Sequence, residues 1–167
     1  MELAELKGKI PDLFEKVKRN VEKVIHRHRA GLTLGFIEMG VSNQGFIGGM
    51  FFSGGTMILM NSTALRILIN QGKLTDEIII NYVYHILLHE YIHSLGYLDE
   101  LECRKITYHV TNETFQDEEH PAHVMASKGI GAYFPKLIYA PGNFQLGPGT
   151  RIERIKNFDK SSQTYFA

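Results

Sequence analysis

At residues 89–99 the chain reads His89-Glu90-Tyr91-Ile92-His93-Ser94-Leu95-Gly96-Tyr97-Leu98-Asp99, which is the pattern H-E-x-x-H-x-x-G-x-x-D. On a helix, residues i and i+4 share one face with Cβ atoms about 5–6 Å apart, so His89 and His93 can direct imidazole nitrogens at one ion. Glu90 flanks that face and can reach a water on the ion rather than the ion itself. Since composition predicts only about 0.03 chance occurrences of H-E-x-x-H, we interpret the stretch as a metal site.

The sequence around this pattern predicts a long, buried helix. Thr75 is a suitable N-cap because two acidic residues follow it, and Gly96 is a suitable stop. The apolar residues between them would cover most of the helix circumference: Ile78, Ile79, Ile80, Val83, Ile86, Leu87, Leu88, Tyr91, Ile92 and Leu95. A buried helix that carries two histidines and a glutamate needs a partner for these polar groups, and a metal ion supplies one. His85, one turn earlier, is interpreted as a locally hydrogen-bonded histidine rather than a ligand.

Composition and charge bound the class of protein. The 167 residues predict one domain, 1–167. The net charge of zero gives no attraction to nucleic acid or to an anionic membrane, so neither is an expected partner. Cys103 is the single cysteine, which rules out an internal disulfide and favours a reducing compartment. Residues 1–29 lack the apolar core of a signal peptide, and we expect a cytoplasmic protein.

The flanking segments predict an α+β fold, with a small twisted sheet packed on an N-terminal helix and on the buried active-site helix. Residues 3–30 form one or two amphipathic helices, with Pro11 in the first turn of the main one. The basic run 26–29 falls at the end of that helix and suits its dipole. Residues 32–39 and 56–61 are predicted strands. Residues 151–167 are predicted to form a polar tail, loose or helical.

A glycine-rich, aromatic segment separates the two predicted strands. It lacks the lysine of a phosphate-binding loop. We interpret it as a β-hairpin with tight turns at Ser42-Asn43 and at Ser53-Gly54-Gly55.

The pattern H-E-x-x-H-x-x-G-x-x-[H/D] resembles the metzincin clan of zinc metallopeptidases, and Asp99 in the last position resembles the snapalysin variant. The resemblance implies a zincin-like domain with an upper part of about 1–96 and a lower part of about 97–150. In such a domain His89, His93 and Asp99 would bind one Zn²⁺ and Glu90 would be the general base. It implies a peptide or protein substrate, bound along residues 56–61 as the edge strand of the sheet. The segment around Met125, H-V-M-A-S, resembles the clan's Met-turn below the metal.

Other ligand sets remain open at this point. If residues 98–114 form a helix, Asp99 becomes its N-cap and Glu102 or Glu100 supplies the carboxylate, which is similar to the gluzincin clan. His120 and His123 are further candidates for the third ligand. Met125 is equally consistent with an ordinary core position.

Two functions follow from these readings. The first is a zinc-dependent metalloendopeptidase. The second is a non-catalytic, metal-stabilised domain that binds a partner on a degenerate peptidase fold, recognisable by a site closed with four protein ligands. Cys103 is interpreted as a packed thiol.

Overall fold

The computed structural model describes residues 1–42, 45–134 and 147–160. The elements within these ranges are α1 (Leu3–Ile25), β1 (Thr33–Ile37), β2 (Gly49–Phe51), β3 (Met57–Asn61), α2 (Ser62–Asn70), α3 (Asp76–Ser94), α4 (Glu100–Thr114), α5 (Pro121–Lys128), a 3₁₀ turn (Ile130–Ala132) and β4 (Glu153–Arg154). The predicted α+β class with an N-terminal helix is confirmed. Within the described ranges, the helices are all too short or too polar to cross a membrane.

The four strands form one mixed sheet in the order β2-β3-β1-β4. β1 and β3 are parallel, with Thr33 opposite Met57, and β2 and β4 are antiparallel to their neighbours. The predicted hairpin between β2 and β3 is confirmed, with a turn in which Gly55 N donates to Phe52 O. The other predicted turn includes Asn43, which lies outside the described residues.

β3 has a hydrogen-bonded neighbour on each side, so the prediction that residues 56–61 form the edge strand is wrong. Residues 58–61 are all buried, as expected for a strand covered on both faces. The outer strands of the described sheet are β2 and β4.

α1 is one continuous helix, and Pro11 lies inside it rather than in its first turn. A single buried stripe runs past the proline: Leu6, Ile10, Leu13, Phe14, Val17 and Val21. Packing of this stripe against α3 offsets the backbone hydrogen bond that Pro11 cannot make. The helix ends at Ile25, earlier than predicted, because His26 adopts a left-handed conformation.

The C-terminal residues 151–160 are not a loose tail. β4 pairs with β1, the Phe158 ring stacks on Phe14 with centroids 4.0 Å apart, and Asp159 is buried. The polar composition of this segment gives no indication that two of its side chains, Phe158 and Asp159, are buried. Residues 161–167 of the predicted tail lie outside the described residues.

α3 is the central helix, and it contacts α1, α4, α5, β2 and β3. Its predicted ends are confirmed: the Thr75 hydroxyl accepts a hydrogen bond from Ile78 N, and Gly96 follows the last turn with φ +105°. The left-handed backbone at Gly96 is a conformation that glycine adopts without strain.

The basic run after α1 serves a different helix from the one predicted. Arg27 donates to Leu95 O at 2.7 Å, and Arg29 donates to Ser94 O at 2.8 Å and to Gly55 O at 2.9 Å. These cations satisfy carbonyls at the C-terminal end of α3, where positive charge is favoured. They also fix that end of α3 to the β2–β3 turn.

Candidate metal centre

The two histidines of the H-E-x-x-H pattern face the same way from the last turns of α3. Their ring centroids lie 4.8 Å apart. His93 Nδ1 is 2.7 Å from the carbonyl oxygen of Tyr97, just beyond the helix end. Because a carbonyl can only accept, His93 Nδ1 donates its proton to Tyr97 O. This contact orients the ring so that Nε2 is the nitrogen left to face Glu100.

Glu100, the first residue of α4, lies between the two histidines. Its Oε1 is 2.9 Å from His89 Nε2 and its Oε2 is 3.0 Å from His93 Nε2. The contact with His89, together with that of His93, lowers the pKa of Glu100 to about 2. The structure thus brings two imidazoles and one carboxylate together at a single point.

Asp99 is placed differently from the prediction. Its exposed carboxylate caps α4 by accepting a hydrogen bond from Glu102 N at 2.9 Å. The physical reason is that a helix starting at Glu100 leaves its first N–H groups without partners, and Asp99 satisfies one of them. The early helix start is the alternative that the sequence left open, and within it Glu100, not the exposed Glu102, contacts the histidines.

Cys103 lies one turn after Glu100 on the same face of α4. Its side chain is fully buried, and Sγ donates to the backbone oxygen of His89 at 3.3 Å. One nitrogen from each of His89 and His93 lies with Cys103 Sγ in a group whose atoms are all within 4.8 Å of one another. This cluster could hold a metal ion.

Cys103 is a candidate ligand that the sequence did not indicate. The sequence predicts a packed thiol, and the Cys103 side chain is indeed buried. Its burial raises the pKa of the thiol, and the charges of Glu90 and Glu100 raise it further. The available signal was the E-x-x-C spacing of Glu100 and Cys103, which places both side chains on one face of a helix.

Glu90 is buried beside this group with a carboxyl oxygen that has no partner. It is 3% exposed, and Oε2 makes no hydrogen bond to any described residue. Burial and the neighbouring charge of Glu100 raise the pKa of Glu90 to about 8. An unpaired buried carboxyl group is costly, and such groups are concentrated at functional sites.

The donor set fits a divalent metal ion. Imidazole nitrogen, carboxylate oxygen and thiolate sulfur are the three ligand types of zinc in proteins. Bonds of about 2.0–2.1 Å in a tetrahedron separate ligand atoms by about 3.3 Å. The Nε2–oxygen distances of 2.9 and 3.0 Å are within a few tenths of an ångström of that spacing.

The later histidines have other partners. His120 caps α5 by accepting from Ala122 N, and its ring stacks on Phe115. His123 Nε2 is 3.0 Å from Asn112 Oδ1. Neither is brought to the two histidines of α3 by a described contact.

Met125 is buried inside helix α5 rather than in a tight turn. The likeness of its segment to a Met-turn therefore does not extend to its local structure. Pro121 in the first turn and the His120 cap start a helix here, which packs on α3 and α4.

His85 is part-buried one turn before His89. Its Nδ1 atom has no partner among the described residues, so the predicted local hydrogen bond is not found there. Burial, with the nearby His89, lowers the pKa of His85 to about 3 and keeps the ring neutral.

The site lies apart from a cavity of about 770 Å³ that is lined by the end of β1, the start of α2 and residues 148–153. Comparison of the chain with protein-family models, with curated proteins and with solved structures finds no match.

Proposed function

We propose that this protein is a zinc-dependent metallopeptidase that hydrolyses peptide bonds with Glu90 as the general base. The observation that carries the proposal is a buried Glu90 carboxyl group whose Oε2 has no partner among the described residues, beside two histidines that each contact one oxygen of the Glu100 carboxylate. A structural metal site needs the ligands but not this additional acid.

The proposed ligands are His89, His93 and Glu100. Glu100 takes the place that the resemblance assigned to Asp99, because its carboxylate contacts both imidazoles while that of Asp99 caps α4. Three protein ligands leave one position free, as catalytic zinc sites do. A bound zinc ion would supply Lewis-acid polarisation of the scissile carbonyl and would lower the pKa of water.

In this proposal Glu90 moves the proton. It accepts a proton from the attacking water and delivers it to the nitrogen of the leaving amine. Burial alone favours the neutral acid, which a general base cannot use. A divalent cation at the neighbouring histidines would oppose that effect and favour the carboxylate.

The proposed substrate is an extended peptide or protein segment. The Glu100 side chain is 39% exposed, so the histidine pair can be reached from solvent on its side. β2 contacts α3 and is an outer strand of the described sheet, which makes it the strand that such a segment would pair with.

The test is the variant Glu90→Gln. We expect it to keep one zinc ion per chain while peptide cleavage falls by at least about 10²-fold, since general-base catalysis contributes about 10²–10⁴. Metal content by atomic emission and cleavage of a casein-derived peptide mixture are the measurements. The matched control is Glu102→Gln, an exposed glutamate of α4, which should change neither. Undiminished cleavage by Glu90→Gln would contradict the role of Glu90.

The second candidate is a metal-stabilised domain that binds a partner without catalysis. Cys103 favours it, because a fourth protein donor would leave no position for water. This candidate predicts zinc-dependent stability together with no cleavage in either the wild type or a Cys103→Ala variant.

A further inference from the structure

We infer that Cys103 is a fourth ligand of the metal ion that competes with the catalytic water, so that the wild-type chain is a partly latent peptidase with measurable residual cleavage. The inference rests on the proposed function, and it concerns regulation at the same site. It assigns the metal an H-x-x-x-H pair on α3 and an E-x-x-C pair on α4.

The donors come from facing surfaces of two packed helices. His89 and His93 are four residues apart on α3, and Glu100 and Cys103 are three residues apart on α4, so each pair lies on one face of its helix. Glu100 contacts both imidazoles at 2.9 and 3.0 Å. Cys103 Sγ belongs to the group of atoms that lie within 4.8 Å of one another with those same imidazoles.

Glu90 supplies an independent indication that this is a ligand site. Its carboxyl group is 97% buried, Oε2 has no partner among the described residues, and its charge acts on the Cys103 thiol. Glu100 is 39% exposed, whereas Glu90 and Cys103 are both buried. Glu90 and Cys103 are therefore both enclosed by protein, and they are close enough for the Glu90 charge to act on the thiol.

In this arrangement Cys103 Sγ and a water molecule would compete for the fourth coordination position of the metal ion. Glu90 could act only on a water bound near its own carboxyl group, and Cys103 lies in that neighbourhood. Four protein ligands are typical of closed structural zinc sites, while three protein ligands and a water are typical of catalytic ones. A thiolate also shifts the preference of the site towards zinc over harder ions such as magnesium.

The experiment uses cobalt(II) as a spectroscopic probe of the full chain. We expect the wild type to bind one cobalt per chain with a near-ultraviolet sulfur-to-cobalt charge-transfer band. Cys103→Ser and Cys103→Ala should each still bind one cobalt, without the band and with affinity weaker by at least about tenfold, the lower bound for changes at metal-site partners. Glu102→Gln should keep the band. At saturating zinc, Cys103→Ala should cleave peptide faster than the wild type.

The outcomes separate this inference from the proposed function. Bound cobalt without the band in the wild type overturns Cys103 as a ligand and leaves the proposed function standing. A wild type that binds no cobalt overturns both. A band in the wild type without faster cleavage by Cys103→Ala overturns the latency. X-ray absorption at the zinc edge of the wild type counts sulfur ligands even if both cysteine variants fail to fold.

Discussion

The Glu90 carboxyl group is almost completely buried, and its burial lowers the stability of the fold by an amount that depends on pH. Burial and the Glu100 charge raise its pKa from 4.5 to about 8. Between these two values the unfolded chain binds fewer protons than the folded chain. Stability therefore falls as pH rises through this window, when no metal ion offsets the effect.

Glu90→Gln removes this ionisation. In the presence of a chelator, we expect the variant to exceed the wild type in free energy of unfolding at pH 8, by an amount on the order of a few kcal/mol. The difference should shrink towards pH 5. Urea unfolding at a series of pH values measures it, with Glu102→Gln as the matched exposed control. Parallel pH profiles for Glu90→Gln and wild type would contradict the raised pKa.

Asp99 and Glu100 are adjacent residues with different roles, and variants can separate them. We expect Glu100→Gln to weaken zinc affinity by at least about tenfold because it removes a ligand. Asp99→Ala should leave zinc affinity unchanged and cost about 1 kcal/mol of stability as a lost N-cap. Zinc titration and urea unfolding of both variants measure these effects. The reverse pattern would return Asp99 to the ligand role.

At the scale of elements, the sequence predicted α3 and its ends because local chemistry determines them. The Thr75 cap, the Gly96 stop and the all-round apolar pattern are each readable without tertiary structure. The acidic residue that contacts the two histidines was harder to predict, since it depends on where α4 begins. A shift of one residue turns a helix by about 100°, enough to exchange Asp99 for Glu100.

Arg27 and Arg29 show what local reasoning misses at this scale. The charges were correctly associated with a helix C-terminus, but with the wrong helix. Their carbonyl partners lie 65 or more residues away at the end of α3, a pairing set by packing rather than by sequence distance.

Gly49 sets how closely β2 approaches α3, and this gives an element-scale prediction. A Cβ at this position would lie 2.7 Å from Ile86 Cγ2 and 3.4 Å from Glu90 Cγ. We expect Gly49→Ala to lower the free energy of unfolding by about 1–3 kcal/mol through overpacking, and to weaken zinc affinity by displacing α3.

The matched control for Gly49→Ala is Gly8→Ala. Gly8 lies in α1 with open space around its Cα, so alanine should stabilise the protein by up to about 1 kcal/mol. Thermal unfolding and zinc titration compare the two variants. Equal changes in the stability of the two variants would show that a Cβ at Gly49 does not overpack the contact between β2 and α3.

At the scale of the whole molecule, contacts between residues far apart in the sequence hold the C-terminal segment on the fold. No local sequence pattern predicts these contacts. Lys18 Nζ is 2.7 Å from Asp159 Oδ1, 141 positions apart, and Asp159 Oδ2 accepts from Leu32 N. These contacts hold the C-terminal strand segment against α1. The polar composition of residues 151–167 predicts a loose or helical tail, and only the fold shows that Asp159 is buried.

Asp159→Ala tests how much these contacts contribute to the free energy of unfolding. Removing one partner of a buried ion pair costs about 3–5 kcal/mol because the other charge is left buried. Glu15 remains 2.7 Å from Lys18, so we expect a loss at the lower end, on the order of 3 kcal/mol, measured by urea unfolding. The exposed pair of Lys160 and Asp12 is the matched control, and Asp12→Ala should lower the free energy of unfolding far less than Asp159→Ala does. The helix α3, which carries the proposed ligands His89 and His93, packs on α1. Asp159→Ala should therefore also lower the temperature at which zinc is released, whereas Asp12→Ala should not.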